Sequence, residues 1–210
     1  MWRWLLLIIA CGTAHAEGRI GFGVRGSSTS DSHGDDIYDD TFRIRGAIDG
    51  TAGLRFDRLV LGVRAGIATP LRFTSSPIAD SGEQVATTSS TVFPLDLGLT
   101  AQFDVDPSVW ISAWLGTTAS MSHATSPAAR IDAIDFTGNI PASSWSAWSL
   151  GLGFGAALGY AFDGRWSAML AFESQAIGPI LIRQNDGTTG SESDRLTNRS
   201  FTIGVSYSLR

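Results

Sequence analysis

The sequence predicts an all-β chain, folded as an eight-stranded antiparallel up-and-down transmembrane β-barrel. Three observations carry that prediction. Apolar and polar residues alternate with a period of two through eight segments, which gives each strand one apolar and one polar face. The connections alternate long and short, beginning with a long one, and the short turns follow Phe56-Asp57, Phe103-Asp104 and Phe162-Asp163. Aromatic residues gather near the segment ends, where a ring can meet both lipid and water.

The first residues read as an export leader. Arg3 precedes the apolar run Trp4-Leu5-Leu6-Leu7-Ile8-Ile9-Ala10, and Ala14-His15-Ala16 is a small-x-small site. The apolar run is far short of the ~20 residues a helical span needs. Residues 1–16 are therefore expected to be a cleaved signal peptide and 17–210 a single barrel domain. Ile8-Ile9-Ala10-Cys11 is the rival, a lipoprotein site. Cys11 is the sole cysteine, so cleavage after Ala16 leaves no thiol and no disulfide to stabilise the fold. Removing Arg3 leaves 14 arginines against 20 acids, net −6, with no lysine. An acidic chain without a basic patch argues against a nucleic-acid partner.

The strands follow in order. Segment 19–26 sets Ile20, Phe22 and Val24 against Arg19, Gly21, Gly23 and Arg25. After a polar loop over 27–40, segment 42–56 sets Phe42, Ile44, Ile48, Leu54 and Phe56 against Arg43, Arg45, Asp49 and Arg55. Asp57-Arg58 turns the chain into a third segment, with Leu59, Leu61, Val63 and Ile67 against Arg64. A Ser/Thr-rich loop over 72–90 leads to segment 93–103, with Phe93, Leu95, Leu97, Leu99 and Phe103 opposite Asp96 and Gln102.

Asp106-Pro107 centres the next turn, and Phe103 and Val109 are expected to pair across it on the lipid face. Segment 109–121 then points Val109, Ile111, Ala113 and Leu115 to lipid and Trp110 and Trp114 inward. The longest loop, 122–146, precedes segment 148–162, which presents Gly151, Gly153, Gly155 and Gly159 to the same interior. An aromatic ring can cover glycines on a neighbouring strand, so Trp110 and Trp114 are expected over these four, each indole N–H meeting an acceptor. The three-residue turn Asp163-Gly164-Arg165 keeps Phe162 and Trp166 on one face. Segment 166–175 carries Glu173 and Gln175 inward, Gly178-Pro179 interrupts it, and 180–182 is expected to prolong it before a turn at 185–187.

The last segment alternates without a break: Phe201, Ile203, Val205, Tyr207 and Leu209 against Thr202, Gly204, Ser206 and Ser208. An apolar terminal strand must pair, because a bare edge aggregates; the first strand is the partner expected. The spacing Thr202-x-Gly204-x-x-Tyr207-x-Leu209 resembles the C-terminal assembly signal of bacterial outer-membrane β-barrels, although the chain ends Leu209-Arg210 rather than on an aromatic residue. The resemblance, to the OmpA-like and OmpW-like barrel domains of Gram-negative bacteria, implies the outer membrane as location. It implies outer-membrane lipid, lipopolysaccharide and the barrel assembly machinery as partners. It also implies long loops outside and short turns in the periplasm. A soluble lipocalin-like barrel, with the apolar face inside, is the structural rival.

The richest constellation is the polar face: Arg19, Arg25, Arg43, Arg45, Arg55 and Arg64 with Asp49, Asp96, Glu173 and Gln175. Arginine stays charged and pairs carboxylates bidentately, and an eight-stranded interior is just wide enough to fill with side chains. A plugged lumen in a structural or surface-binding protein is the expectation. A narrow anion channel is the alternative, since these arginines outnumber the acids. The lipid girdles are assigned to Phe42, Phe93, Trp145 and Trp148 at the loop end, and to Phe56, Phe103, Tyr160, Phe162, Trp166 and Tyr207 at the turn end. The loop residues Asp31, His33, Asp35, Asp36, Asp39 and Asp40 lack EF-hand spacing and read as a solvated acidic loop. Some barrels of this kind modify lipid A, and Ser122, His123, Ser126, Asp132 and Asp135 would be the only catalytic set to draw on. Serine abounds in every loop, so no enzyme is expected, and no cofactor or metal motif is present.

Overall fold

A computed structural model describes residues 15–30, 43–75, 88–132, 137–179, 181–183, 189–191 and 196–209. The strands are β1 (His15–Ser30), β2 (Arg43–Phe56), β3 (Leu59–Ala68), β4 (Leu71–Ser75), β5 (Thr88–Asp104), β6 (Val109–Ser126), β7 (Ala129–Asp132), β8 (Thr137–Ile140), β9 (Ser143–Ala161), β10 (Trp166–Ile177), β11 (Leu181–Arg183), β12 (Thr189–Ser191) and β13 (Leu196–Leu209). Hydrogen bonding runs β3-β2-β1-β13-β10-β9-β6-β5-β4, and β3 also pairs with β5. Because β4 continues β3 beyond a break at Thr69-Pro70, the ring closes on eight strand positions, every pairing antiparallel.

The first and last described strands meet as expected. β1 and β13 pair from Gly18↔Leu209 to Ser30↔Thr197. Gly23 faces Gly204 at the middle of this seam, and a Cβ on Gly204 would run into the carbonyl oxygen of Phe22. The two strands approach so closely only because both residues lack a side chain.

Alternation alone left inside and outside open; burial assigns them. Leu99 and Leu152 are 72% and 70% exposed on the outer wall, whereas Arg25 is 1% exposed within. The apolar face points out, the reverse of a soluble lipocalin-like barrel, and the eight wall strands, from 10 residues in β3 to 19 in β9, reach the ~9–11 residues needed to cross a bilayer.

Several boundaries differ from the sequence reading. The polar segment 72–90, expected as loop, contains β4 and the start of β5. Phe73 within it, and Leu71 and Val92 just outside its ends, point inward in the strand period, which the surrounding serines and threonines obscure. β6 runs on to Ser126 and β9 begins at Ser143, so the expected 122–146 loop holds two strand ends and the β7–β8 hairpin. Leu181–Arg183 does not prolong β10. It forms a separate hairpin with β12, after Gly178 takes φ 133°, a conformation side chains other than glycine's rarely adopt. Phe103 pairs with Ile111 rather than Val109, leaving the strand phase unchanged. Phe162 and Trp166 share the outer face as expected. His15 and Ala16, the end of the expected leader, pair with Arg55 and Leu54.

Closure at the seam makes a testable demand. Gly204→Val should force β1 and β13 apart and cost about 1–3 kcal/mol, the usual range for overpacking. Urea unfolding in detergent micelles should show the loss, and the unheated protein should lose its compact, fast-migrating gel band.

Candidate functional site

The inner face is the densest polar site among the described residues, and it is layered. At the turn end Arg55 donates to Glu17 at 2.5 Å and to Asp104 at 2.6 Å, and Gln102 donates to Asp104 at 2.8 Å. Arg19 lies 4.0 Å from Glu17, with its guanidinium 4.2 Å from the centre of the Trp110 ring. Above this layer a cavity of about 60 Å³ is lined by Arg19, Asp49, Arg64, Trp110, Trp114 and Glu173, among others.

The middle layer is centred on Glu173. Its carboxylate accepts from Arg25 at 2.8 Å, from Arg64, and from Gln175 at 3.2 Å. Gln175 also donates to Asp96 at 2.8 Å and accepts from Asn198 at 3.1 Å. Thr118 donates to the other oxygen of Asp96 at 2.8 Å, and Arg25 Nε donates to Thr202 at 3.2 Å. The strand period makes this possible: each residue occupies an inward position on its strand, and the narrow ring brings them within reach. Arg25, Glu173 and Gln175 are 1–2% exposed, so the charges are stabilised by one another and by neutral donors rather than by water.

The third layer lies toward the loop end. Arg45 donates to Ser27 at 3.2 Å and to the carbonyl of Thr69 at 3.1 Å. Above it Leu71, Phe73, Val92, Ile177 and Leu196 form an apolar cluster inside the barrel, 0–3% exposed. Arg43 lies 5.0 Å over the Phe73 ring. The bend at Gly178-Pro179 is fixed to β6, where Ser122 Oγ donates to the Pro179 carbonyl at 2.6 Å.

All ten lumen residues expected from the sequence face inward. The sequence reading passed over Glu17, Asp104, Thr118 and Asn198 and left Gln102 out of the network, although all five share their strand's inward phase. Extending the period-two count past the chosen segment ends would have found Glu17, Asp104 and Asn198.

Trp110 and Trp114 point inward, as expected. Trp110 pairs with Gly159 and Trp114 with Gly155, and Cβ atoms on Gly153, Gly155 and Gly159 would collide with the indole rings. Gly151 lies outside this cover: it faces Thr118, and a Cβ there would meet the Ala176 carbonyl. The expected indole acceptors are not found, since neither Nε1 has a hydrogen-bond partner. A glycine surface carries no side-chain acceptor, and the rings instead stack under arginine, Arg64 lying 4.6 Å over Trp114.

The girdle residues Phe93, Phe103, Trp148, Tyr160, Phe162 and Trp166 are exposed on the outer wall, and Phe56 shares their phase half-buried. Tyr207 packs edge-on against Trp166 at 5.0 Å and accepts from Arg165 at 2.9 Å, a bond that raises the pKa of this turn arginine. Trp145 is a correction: it lies on the inward phase of β9, half-buried, because Trp148 three residues on must point out. Phe42, the acidic loop with His33, and Asp135 lie outside the described residues. Of the Ser-His-acid set, only Ser122, His123 and Ser126 have described side chains, and these three do not converge. His123 faces outward and meets Ser146 at 2.9 Å, whereas Ser122 and Ser126 face inward.

The sequence matches the family model described as the outer membrane protein beta-barrel domain over residues 4–208. The chain belongs to the outer-membrane β-barrel family. Its fold resembles OprG from Pseudomonas aeruginosa, with a TM-score of 0.58 at 13% identity, covering 95% of this chain and 98% of that one. A major outer membrane protein from Thermus thermophilus gives 0.51 at 14% identity, covering 93% and 100%. Ail, the attachment invasion locus protein of Yersinia pestis, gives 0.50 at 11% identity, covering 93% and 99%. No curated protein sequence matches. At these identities the likeness is one of fold. The outer-membrane barrel nonetheless supplies the setting: lipid against the apolar wall, and the ionic layers enclosed.

Two substitutions test the lumen. Glu173→Ala leaves Arg25 and Arg64 buried without their carboxylate and should cost about 3–5 kcal/mol. Trp114→Ala removes the cover over Gly153 and Gly155 and should cost a similar amount, about 3–5 kcal/mol. Reversible unfolding in lipid vesicles should report both losses, while Thr125→Ala on the outer wall should fall within about 0.5 kcal/mol of the parent.

Proposed function

We infer that this protein is a closed outer-membrane barrel acting through its surface, in a structural or binding role, rather than as a porin or an enzyme. In this reading residues 1–16 direct export, the short turns face the periplasm and the loop ends face outward. One observation carries it. The Glu173-centred ionic layer and the buried Leu71-Phe73-Val92-Ile177-Leu196 cluster lie one above the other inside the ring, which supports a lumen closed twice in series. An apolar constriction excludes ions by dewetting, and a hydrogen-bonded ionic layer leaves no continuous water column.

The charge balance weighs against an anion pathway. Six inward arginines face five inward acids once Glu17 and Asp104 join Asp49, Asp96 and Glu173. The scattered serines of the catalytic alternative weigh against hydrolysis.

Planar-bilayer recording tests the reading. The parent protein should show no steady conductance. Glu173→Ala alone should stay closed, because the apolar layer remains, and only Glu173→Ala combined with Phe73→Ala should admit ions. Large, stable conductance of the parent would overturn the closed-barrel reading.

A further inference from the structure

The turn-end mouth of the barrel holds the peptide bond at which the leader is expected to be cut. A cavity of about 660 Å³ opens there, lined by Ala16, Glu17, Arg55, Arg58, Asp104 and Asp106, among others. Because Ala16 and Glu17 both line it, the bond between them borders the cavity. Glu17 pairs with Gly53 on β2, and pairing with β13 begins one residue later, at Gly18↔Leu209. The backbone nitrogen of Glu17 is thus held in the wall at the point where the ring closes.

The charges around this mouth do not balance. Among the described turn-end residues, Glu17, Asp57, Asp104, Asp106 and Asp163 stand against Arg19, Arg55, Arg58 and Arg165, an excess of one negative charge. The cavity lining repeats that excess, with Glu17, Asp104 and Asp106 against Arg55 and Arg58. Arg55 is shared between Glu17 and Asp104, and Arg19 lies beside Glu17. Asp106 has no ion-pair partner among the described residues. Its Oδ1 caps the turn, accepting from the backbone N–H groups of Ser108 at 2.7 Å and Val109 at 2.9 Å.

We propose that cleavage after Ala16 supplies the missing cation: the α-ammonium of Glu17, released at this cavity, pairs with Asp106 and Asp104 and completes the ionic layer of the mouth. In the uncut chain a neutral amide stands there, and His15 and Ala16 continue the strand against Arg55 and Leu54. An ammonium brings both the charge and new hydrogen-bond donors, and a carboxylate that accepts from it makes a charge-assisted bond. The charged groups facing the amine are Glu17 on β1, Arg55 on β2, Arg58 on the β2–β3 turn, Asp104 on β5 and Asp106 on the β5–β6 turn, with Arg19 next to Glu17. Pairing favours the protonated amine, so its folded pKa lies above its unfolded value, ordinarily about 7.7–8.0. The added stability is complete below the unfolded pKa and is lost as pH rises through the folded one.

The proposal rests on residues 1–16 acting as a cleaved leader, and the test separates the two. The chain has no lysine, so the α-amine is its sole aliphatic amine. Reductive methylation with ¹³C-formaldehyde therefore gives a single NMR signal that follows its titration. The exported full mature chain is extracted into micelles, its first residue is fixed by intact mass, and the signal is titrated folded and in urea. The folded pKa should exceed the unfolded one by about half a unit, roughly a threefold change in the protonation equilibrium. Asp106→Asn keeps the oxygen that caps the turn and should remove most of that difference. Heat-modifiable migration checks its folding, and Asp104→Asn serves should it misfold. A Gly-Ser extension ahead of Glu17 carries the amine out of the cavity and should return it to the unfolded value. Equal folded and unfolded values, or an amine indifferent to both aspartate variants, would overturn the pairing while leaving the leader intact as a reading. A mass that starts elsewhere, such as at a lipidated Cys11, overturns the leader and the pairing together.

Discussion

Every backbone N–H and C=O at the depth of the hydrocarbon must find its partner within the protein, because lipid offers none. A sheet meets that demand only by closing. Here closure is the pairing of β1 with β13, joining the first described residues of the chain to the last. The strand count fixed by that ring sets the bore, and the bore sets what can fill it. Eight strands leave room for side chains but little else.

The interior has to compensate its own charges. A buried carboxylate without partners is costly, and so is a buried guanidinium. The solution is a shared one: Glu173 serves Arg25 and Arg64, Asp96 is held by Thr118 and Gln175, and Asn198 completes the amide chain. Arg19 and Arg64 also lie on indoles, and where the indole needs room the facing strand provides glycine. The polar core and the glycine-rich β9 are thus consequences of one geometric limit. The apolar cluster at the loop end obeys a different rule. Beyond the ionic layers Leu71, Phe73 and Val92 from β4 and β5 meet Ile177 and Leu196 from β10 and β13, burying a purely apolar cluster inside a barrel that turns most of its aliphatic side chains outward.

The same separation of faces organises the exterior. Outward residues answer to the surrounding medium rather than to one another, so their chemistry changes where the medium changes. Phenylalanine, methionine and tryptophan give way to threonine, histidine and serine at one register on β5, β6 and β9. The arginines divide accordingly. Those on inward positions are held in the core, whereas Arg72 and Arg199 stand exposed on the outer wall.

The strand period was enough to read the barrel, its closure, the inward arginines and the two inward tryptophans directly from the sequence. A period of two is a local property, and it assigns every residue of a strand to a face once one residue is placed. Tertiary structure decided what period cannot reach. Which face was outside depended on the ring's surroundings, seen in the exposure of Leu99 against Arg25. Which carboxylate served which arginine depended on register across strands distant in sequence, as with Arg64 and Glu173. The indole N–H groups lacked the acceptors expected of them because only the packed interior revealed that the space above each ring belonged to arginine. β4 escaped notice because its inward apolar residues and those of its neighbour sit among serines and threonines, where burial, not composition, identifies a strand.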